Sequence, residues 1–246
     1  MKNWFDQGGK AYAAFRPQYP PELAQFLKSC VPSGKIAFDV GCGTGQLTYL
    51  LADHFKTVIG TDPSADQISN AAKKANITYK AAPAEKLGGE DGSVDLITAA
   101  QAAHWFDRPQ FYKEVRRLAK PEATLALISY GVLSFEDAAL DRLFSTFYHD
   151  EISPYWPPER KLVDSGYQTI DFPFDEMTPP PFNITLEWDR DQFLGYLSTW
   201  SATRKAREAG QEKVLHRFAD QLNEAWEKPP SKQIIHWPIH MRLGMV

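Results

Sequence analysis

The chain has 246 residues, 43% of them hydrophobic, and a formal net charge of −4. That suits one large domain, or one domain with an insertion, around a sizeable core. No block of basic residues stands out, which argues against a dedicated nucleic-acid surface, and no stretch approaches the roughly 18 apolar residues of a membrane span. With only Cys30 and Cys42 as thiols, and no apolar h-region in MKNWFDQGGK, the chain reads as a reduced cytoplasmic protein without a disulfide. No metal site is expected.

In chain order, residues 3–20 (NWFDQGGKAYAAFRPQYP) come before any strand. They bring the aromatic rings of Tyr12, Phe15 and Tyr19 beside the cation of Arg16. An amphipathic helix packed on the core would look the same. Pro20-Pro21 opens a helix with the stripe Leu23, Phe26, Leu27 and Cys30. Ile36-Ala37-Phe38 then begins a strand ending in Asp39, followed by Gly41, Gly43 and Gly45 at alternate positions and by Leu47, Leu50 and Leu51 at helical spacing. Glycine serves where φ is positive or where a ligand approaches the backbone. A strand, a glycine turn and a helix start predict a small-molecule site at the end of the first strand. The spacing is not G-x-G-x-x-G, and Gly-Lys-Ser/Thr is absent, so neither a dinucleotide nor a nucleoside triphosphate fits well. The acid before the first glycine suits a ligand carrying positive charge.

Thr57–Thr61 reads as a buried second strand. Asp62 follows about 20 residues after Gly41, the distance expected of an acid that binds ribose hydroxyls. Ser64 with Gln67 makes a capping-box pattern for the next helix. Ile77–Ala81, Val94–Ala100 and Ala123–Tyr130 are the third, fourth and fifth strands. Gln101, His104 and Trp105 follow the fourth strand, and ligands of open α/β sheets bind at such carboxyl ends. His104 can be a general base or a hydrogen-bond donor, or it can simply fasten the loop. Asp107 with Gln110 caps another helix. Alternating strands and helices over 21–130 predict a doubly wound parallel sheet. Further on, 134–151 reads as helix, Thr169–Phe174 as a sixth strand, Asp189 as the cap of a helix to about Ala206, Val214–Trp226 as a helix, and Ile234–Met245 as a long final strand.

The string DVGCGTG resembles motif I of the class I S-adenosylmethionine-dependent methyltransferases. Y-x-x-x-R-P-x-Y-P at 12–20 and the HWF string at 104–106 resemble the type 11 subfamily, close to the trans-aconitate methyltransferase group. The resemblance covers roughly half the chain. It implies S-adenosyl-L-methionine as cofactor and a seven-stranded, mostly parallel α/β sheet whose last strand is antiparallel. It implies one domain: an N-terminal lid (1–20), a cofactor-binding core (21–174), a helical insertion covering the substrate (175–230) and a terminal strand (231–246). Tyr12 and Arg16 would meet the cofactor's carboxylate. The glycines 41, 43 and 45, Asp39, Asp62 and Gln101 would hold the rest. At the adenine, relatives place an Asp where this chain has Ala82-Pro83, so only the Ala84 N–H and Glu85 carry over. His104, Trp156, Trp200 and Arg204 are the candidate substrate residues, although Arg204 with Lys205, Arg207 and Lys213 reads equally as a solvated face. The implied acceptor is a small carboxylate giving a methyl ester, with no nucleic-acid or membrane partner, in a monomer or homodimer. Three alternatives stay open: a methyltransferase acting on RNA or another macromolecule, a non-catalytic cofactor-binding partner protein, and, against the glycine spacing, a nicotinamide dehydrogenase.

Overall fold

The computed structural model describes residues 16–226 and 231–246. Tyr12 and residues 1–15 of the expected lid lie outside the described residues. Along the first strands, successive apolar side chains go to opposite faces. Ala37, Leu96, Ala126 and Ile128 join one buried cluster, and Phe38, Ile97, Leu125 and Leu127 join the other. A sheet buried on both faces needs helices on both, the usual condition of parallel strands.

The elements supply them. Helix α1 (Pro21–Ser29) precedes β1 (Ile36–Val40), α2 (Gln46–Leu51), β2 (Thr57–Asp62), α3 (Ala65–Ser69), β3 (Ile77–Ala81) and β4 (Val94–Ala100). Then come α4 (Arg108–Leu118), β5 (Ala119–Tyr130), β6 (Ser134–Phe135), α5 (Ala138–Thr146) and α6 (Arg160–Asp164). Last are β7 (Asp175–Met177), β8 (Phe182–Trp188), α7 (Arg190–Ser198), α8 (Ser201–Glu208), α9 (Glu212–Ala225) and β9 (Gln233–Met245). Helices α1, α2, α5 and α7 to α9 cover the first face; α4 and residues 162–174 cover the second.

The strand order is β3-β2-β1-β4-β5-β9, with the first five parallel and β9 antiparallel to β5. This is the expected fold class, a mostly parallel α/β sheet with an antiparallel last strand, although the described residues form nine strands where seven were expected. Beyond β5 the details differ from the sequence reading. The segment Thr169–Phe174 is not a strand, because Pro173 cannot donate to a ladder and the Phe174 N–H bonds back to the Phe172 carbonyl at 3.0 Å. The outer strand is instead β7 and β8, both antiparallel to β9. Residues 175–188 therefore belong to the sheet, and the helical part of the expected insertion starts only at Arg190. The expected helix over 134–151 is likewise interrupted. Ser134 and Phe135 pair with His236 and Ile235 of β9 before Asp137 caps α5.

The caps read from sequence are in place. The Ser64 hydroxyl accepts from the Gln67 N–H, and Asp107 from that of Gln110. Asp189 and Gln192 form a reciprocal capping box. The helix opened by Asp189 stops at Ser198, and a second one starts after Trp200.

Candidate active site

A cavity of about 750 Å³ opens at the carboxyl ends of the five parallel strands. Every one of them contributes to its wall: Gly41–Thr44 after β1, Asp62 and Pro63 from β2, Pro83–Glu85 after β3, Ala100–Ala102 from β4, and Tyr130 at the end of β5. His104, Trp105 and Phe106 add a lip, and Tyr19 and Glu159 reach in from flanking segments.

The glycine turn is shaped for this. Gly43 has φ of 55°, and a Cβ there would meet only the Gln67 Oε1, at 3.8 Å, so the backbone presents an open cradle to the cavity. Gly45 has another reason to be glycine. A Cβ on it would sit 2.1 Å from the Tyr79 hydroxyl oxygen, and its φ is 81°. Gly45 is therefore not on the cavity wall; it lets β3 close over the turn.

The two acids differ. Asp39 is almost fully buried, with Oδ2 accepting from the Thr48 hydroxyl at 2.6 Å and Oδ1 from that of Thr98 at 2.8 Å. It thereby ties α2 and β4 to β1 beneath the glycine turn. Burial pushes its pKa up to about 6, against the lowering effect of those two hydroxyls. Asp62 accepts from the Gly43 N–H at 3.0 Å and the Ser64 N–H at 2.8 Å, one on each oxygen. A carboxylate has about four acceptor positions, so each oxygen keeps one for a ligand hydroxyl. Burial raises its pKa also. Glu85 lines the cavity while its Oε1 accepts the Asp107 N–H at 2.8 Å, joining the loop after β3 to the start of α4.

Gln101 is strained, with φ of 53°. A non-glycine residue there costs about 1–3 kcal/mol and persists only when its surroundings fix it. Its Nε2 donates to the Tyr130 carbonyl at 3.1 Å, and its Oε1 is buried without a partner among the described residues. The Oε1 of Gln67 is in the same condition. Two orphaned acceptors on one wall, two strand-end carboxylates and a glycine cradle make a donor-seeking, cation-tolerant site. That chemistry fits the ammonium, sulfonium and ribose hydroxyls of S-adenosylmethionine.

His104 Nδ1 lies 2.9 Å from the Tyr167 hydroxyl. Burial, and secondarily the Arg160 charge, pull its pKa down to about 3. Burial thus favours the neutral imidazole. Arg16 donates to the Tyr130 hydroxyl at 3.0 Å and the Thr199 carbonyl at 3.3 Å, with its guanidinium 5.6 Å from the Tyr196 ring centre. It reaches the cavity wall through Tyr130. Of the expected cofactor residues, Asp39, Gly41, Gly43, Asp62, Ala84, Glu85 and Gln101 are brought together on this wall.

The expected substrate residues divide. His104 is on the wall. Trp156 and Trp200 have ring centres 5.0 Å apart; Trp200 belongs to the large core cluster, Trp156 is half-buried against it, and neither lines this cavity. Arg204 is not on the wall either, and its Nε lies 3.9 Å from Glu208 one turn along α8. Sequence reasoning missed Thr48 and Thr98, which lock Asp39, and Gln67, Tyr130, Glu159, Arg160 and Tyr167. Tyr130 was within reach of the strand-end rule that found Gln101. The others acquire their roles only through tertiary packing.

Residues 38–127 match the methyltransferase domain family. A protein of Dictyostelium discoideum named as a methyltransferase is 38% identical over 248 residues, covering 98% of this chain and 94% of its own. A Saccharomyces cerevisiae protein named as an S-adenosylmethionine-dependent methyltransferase is 33% identical over 135 residues, 51% of this chain and 46% of its own. Among solved structures, a protein of Anaeromyxobacter dehalogenans described as a type II methyltransferase is 42% identical with a TM-score of 0.87, covering 94% of this chain and 98% of that one. The near-full-length similarity extends through the outer sheet and the helices after it, and the cavity has the chemistry the cofactor demands: the chain belongs to the class I S-adenosylmethionine-dependent methyltransferases.

Proposed function

We propose that the enzyme methylates a carboxylate of a small molecule, giving a methyl ester. The observation that carries this reading is the state of His104. It is the one imidazole on the cavity wall among the described residues, its Nδ1 is taken up by the Tyr167 hydroxyl, and burial depresses its basicity, so it is a poor base for a phenol, alcohol or ammonium. An ionised carboxylate needs no base. The motifs resembling the trans-aconitate group, Arg16-Pro17 and His104-Trp105-Phe106, support the same acceptor class.

The bound cofactor supplies an already activated methyl group. The residues of the chain then bind, orient and exclude water, which is where most of the available rate enhancement for such a displacement lies. Asp62 takes the ribose hydroxyls on its free acceptor positions. The Ala84 N–H and Glu85 edge the adenine. Asp39 sets a negative potential under the glycine turn, and Gln101 offers Oε1 to the ammonium. Arg16, through Tyr130, closes the carboxylate end.

The test is a screen of carboxylate, phenol and amine acceptors with labelled cofactor. Base-labile methyl incorporation confined to carboxylates is the expected result. Turnover confined to phenols or amines would reject the reading.

A further inference from the structure

A gathering of ionisable and aromatic side chains lies beyond His104, off the cofactor cavity wall. Its centre is Arg160, the first residue of α6. The Arg160 Nε donates to the Tyr148 hydroxyl and to Asp164 Oδ1, both at 2.9 Å. The guanidinium lies 4.7 Å from the Trp156 ring centre. One edge of the fork is thus fixed and one face is stacked. Among the described residues the two terminal Nη groups have no hydrogen-bond partner, and the side chain is only 18% exposed. The indole N–H of Trp156 is buried with no acceptor either. A buried donor left unpaired costs about 1–3 kcal/mol, so the buried Trp156 N–H, beside the partly exposed Nη groups of Arg160, marks a position for an acceptor group.

His104 supplies a third donor. With the Tyr167 hydroxyl donating to His104 Nδ1, at 2.9 Å, the ring proton sits on Nε2. Residues 103–105 pack against α6, so Arg160 and His104 share one region. Of the acids nearby, Asp164 takes only the Nε edge, and Glu159 lies on the cofactor cavity wall.

We propose that Arg160, with the Nε2–H of His104 and the indole N–H of Trp156, binds the acceptor's carboxylate and makes Arg160, in place of Arg204, the residue that selects anionic acceptors. The planar fork of an arginine matches a carboxylate with two parallel hydrogen bonds, which a lysine cannot reproduce. The inference rests on the carboxylate reading above and adds the residue that enforces it.

The test uses the full chain loaded with S-adenosylhomocysteine. Trans-aconitate, decanoate and benzoate are titrated while tryptophan fluorescence is followed, and methyl-ester formation is then measured with labelled S-adenosylmethionine. Arg160→Gln should raise Kd and KM for whichever of these probes is methylated by about 10- to 100-fold, the usual range for a charge-assisted hydrogen bond. S-adenosylhomocysteine affinity should stay within about twofold, a change worth less than 0.5 kcal/mol. Arg160→Lys, which keeps the charge and loses the fork, should recover part of the binding. Carboxylate turnover with an unchanged KM in Arg160→Gln, or a loss seen in Arg204→Ala instead, overturns the Arg160 assignment and leaves the carboxylate reading standing. Turnover restricted to neutral or cationic acceptors, or no saturable binding of any of the three carboxylates, rejects both. If Arg160→Gln loses S-adenosylhomocysteine binding, Arg160→Lys decides: an unchanged acceptor KM there overturns the assignment.

Discussion

Asp39 and Asp62 are both strand-end carboxylates whose pKa is raised by burial, yet they act differently. Asp62 keeps acceptor positions open towards the cavity, so Asp62→Ala should weaken S-adenosylhomocysteine by about 1.5–3 kcal/mol in calorimetry, the worth of hydrogen bonds to a charged group. It should also lower Tm, because the Gly43 and Ser64 N–H groups lose their partner. Asp39 has both oxygens engaged by hydroxyls and acts through its charge. With a folded pKa near 6 against 3.8 in the open chain, the folded state holds its proton over a pH range where the unfolded state has released it. The ligand-free protein should therefore lose stability as pH rises from about 4 to about 6, by up to about 3 kcal/mol. A cationic ligand favours the ionised form, so S-adenosylmethionine affinity should rise over the same interval. Asp39→Asn should flatten both profiles. A pH-independent affinity in the parent protein would contradict the assignment.

At the scale of elements, the glycine turn and β3 are built against each other. Gly45→Ala would place a methyl group against the Tyr79 ring at a positive φ. The expected loss is about 1–3 kcal/mol of stability. Combining it with Tyr79→Ala should relieve the clash and make the double variant less damaged than the two single effects added together, as a denaturation cycle would show. The turn and its flanking strands were legible because each carries local chemistry: apolar runs, an acid, glycines at fixed spacing, and Ser64, Asp107 and Asp189 as caps. Strand β8 was equally legible in principle. Phe182, Ile184, Leu186 and Trp188 alternate with polar residues, the period of a half-buried strand. The proline run 179–181 just before it reads as loop, and the apolar Thr169–Phe174 offers an earlier strand that Pro173 forbids. Arg160 carried no such signal. RKLVD at 160–164 looks like any charged helix start, and only the packing of Tyr148 and Trp156 around it reveals a shielded cation.

Across the whole molecule, β9 does the joining. It pairs with β5, β6, β7 and β8, and so couples the cofactor half of the sheet to its outer strands. Trp237, fully buried at its centre, is edged by Trp188 and Tyr196 and donates to the Tyr196 hydroxyl at 3.3 Å. Trp237→Ala should cost about 3–5 kcal/mol, read as a lowered midpoint in urea. If the acceptor side is a separable layer, cofactor affinity at low temperature should fall much less than acceptor turnover. The helices after β8, from Arg190 to Ala225, pack on this same first face. That region is where sequence gave least guidance, because its apolar residues report only that it is buried, not what it covers.

The position of β9 in the chain bears on how the protein is made. Among the described residues every other strand precedes it, and β6, β7 and β8 have no sheet partner except β9. Thr124 pairs with Met245, so the outer edge of β5 stays bare while the intervening residues leave the ribosome. An open edge of that kind invites pairing with other chains. Nascent chains halted before Gln233 should therefore recruit holding chaperones and be cut readily by protease between β5 and α9. Those extended through Met245 should become resistant in a single step.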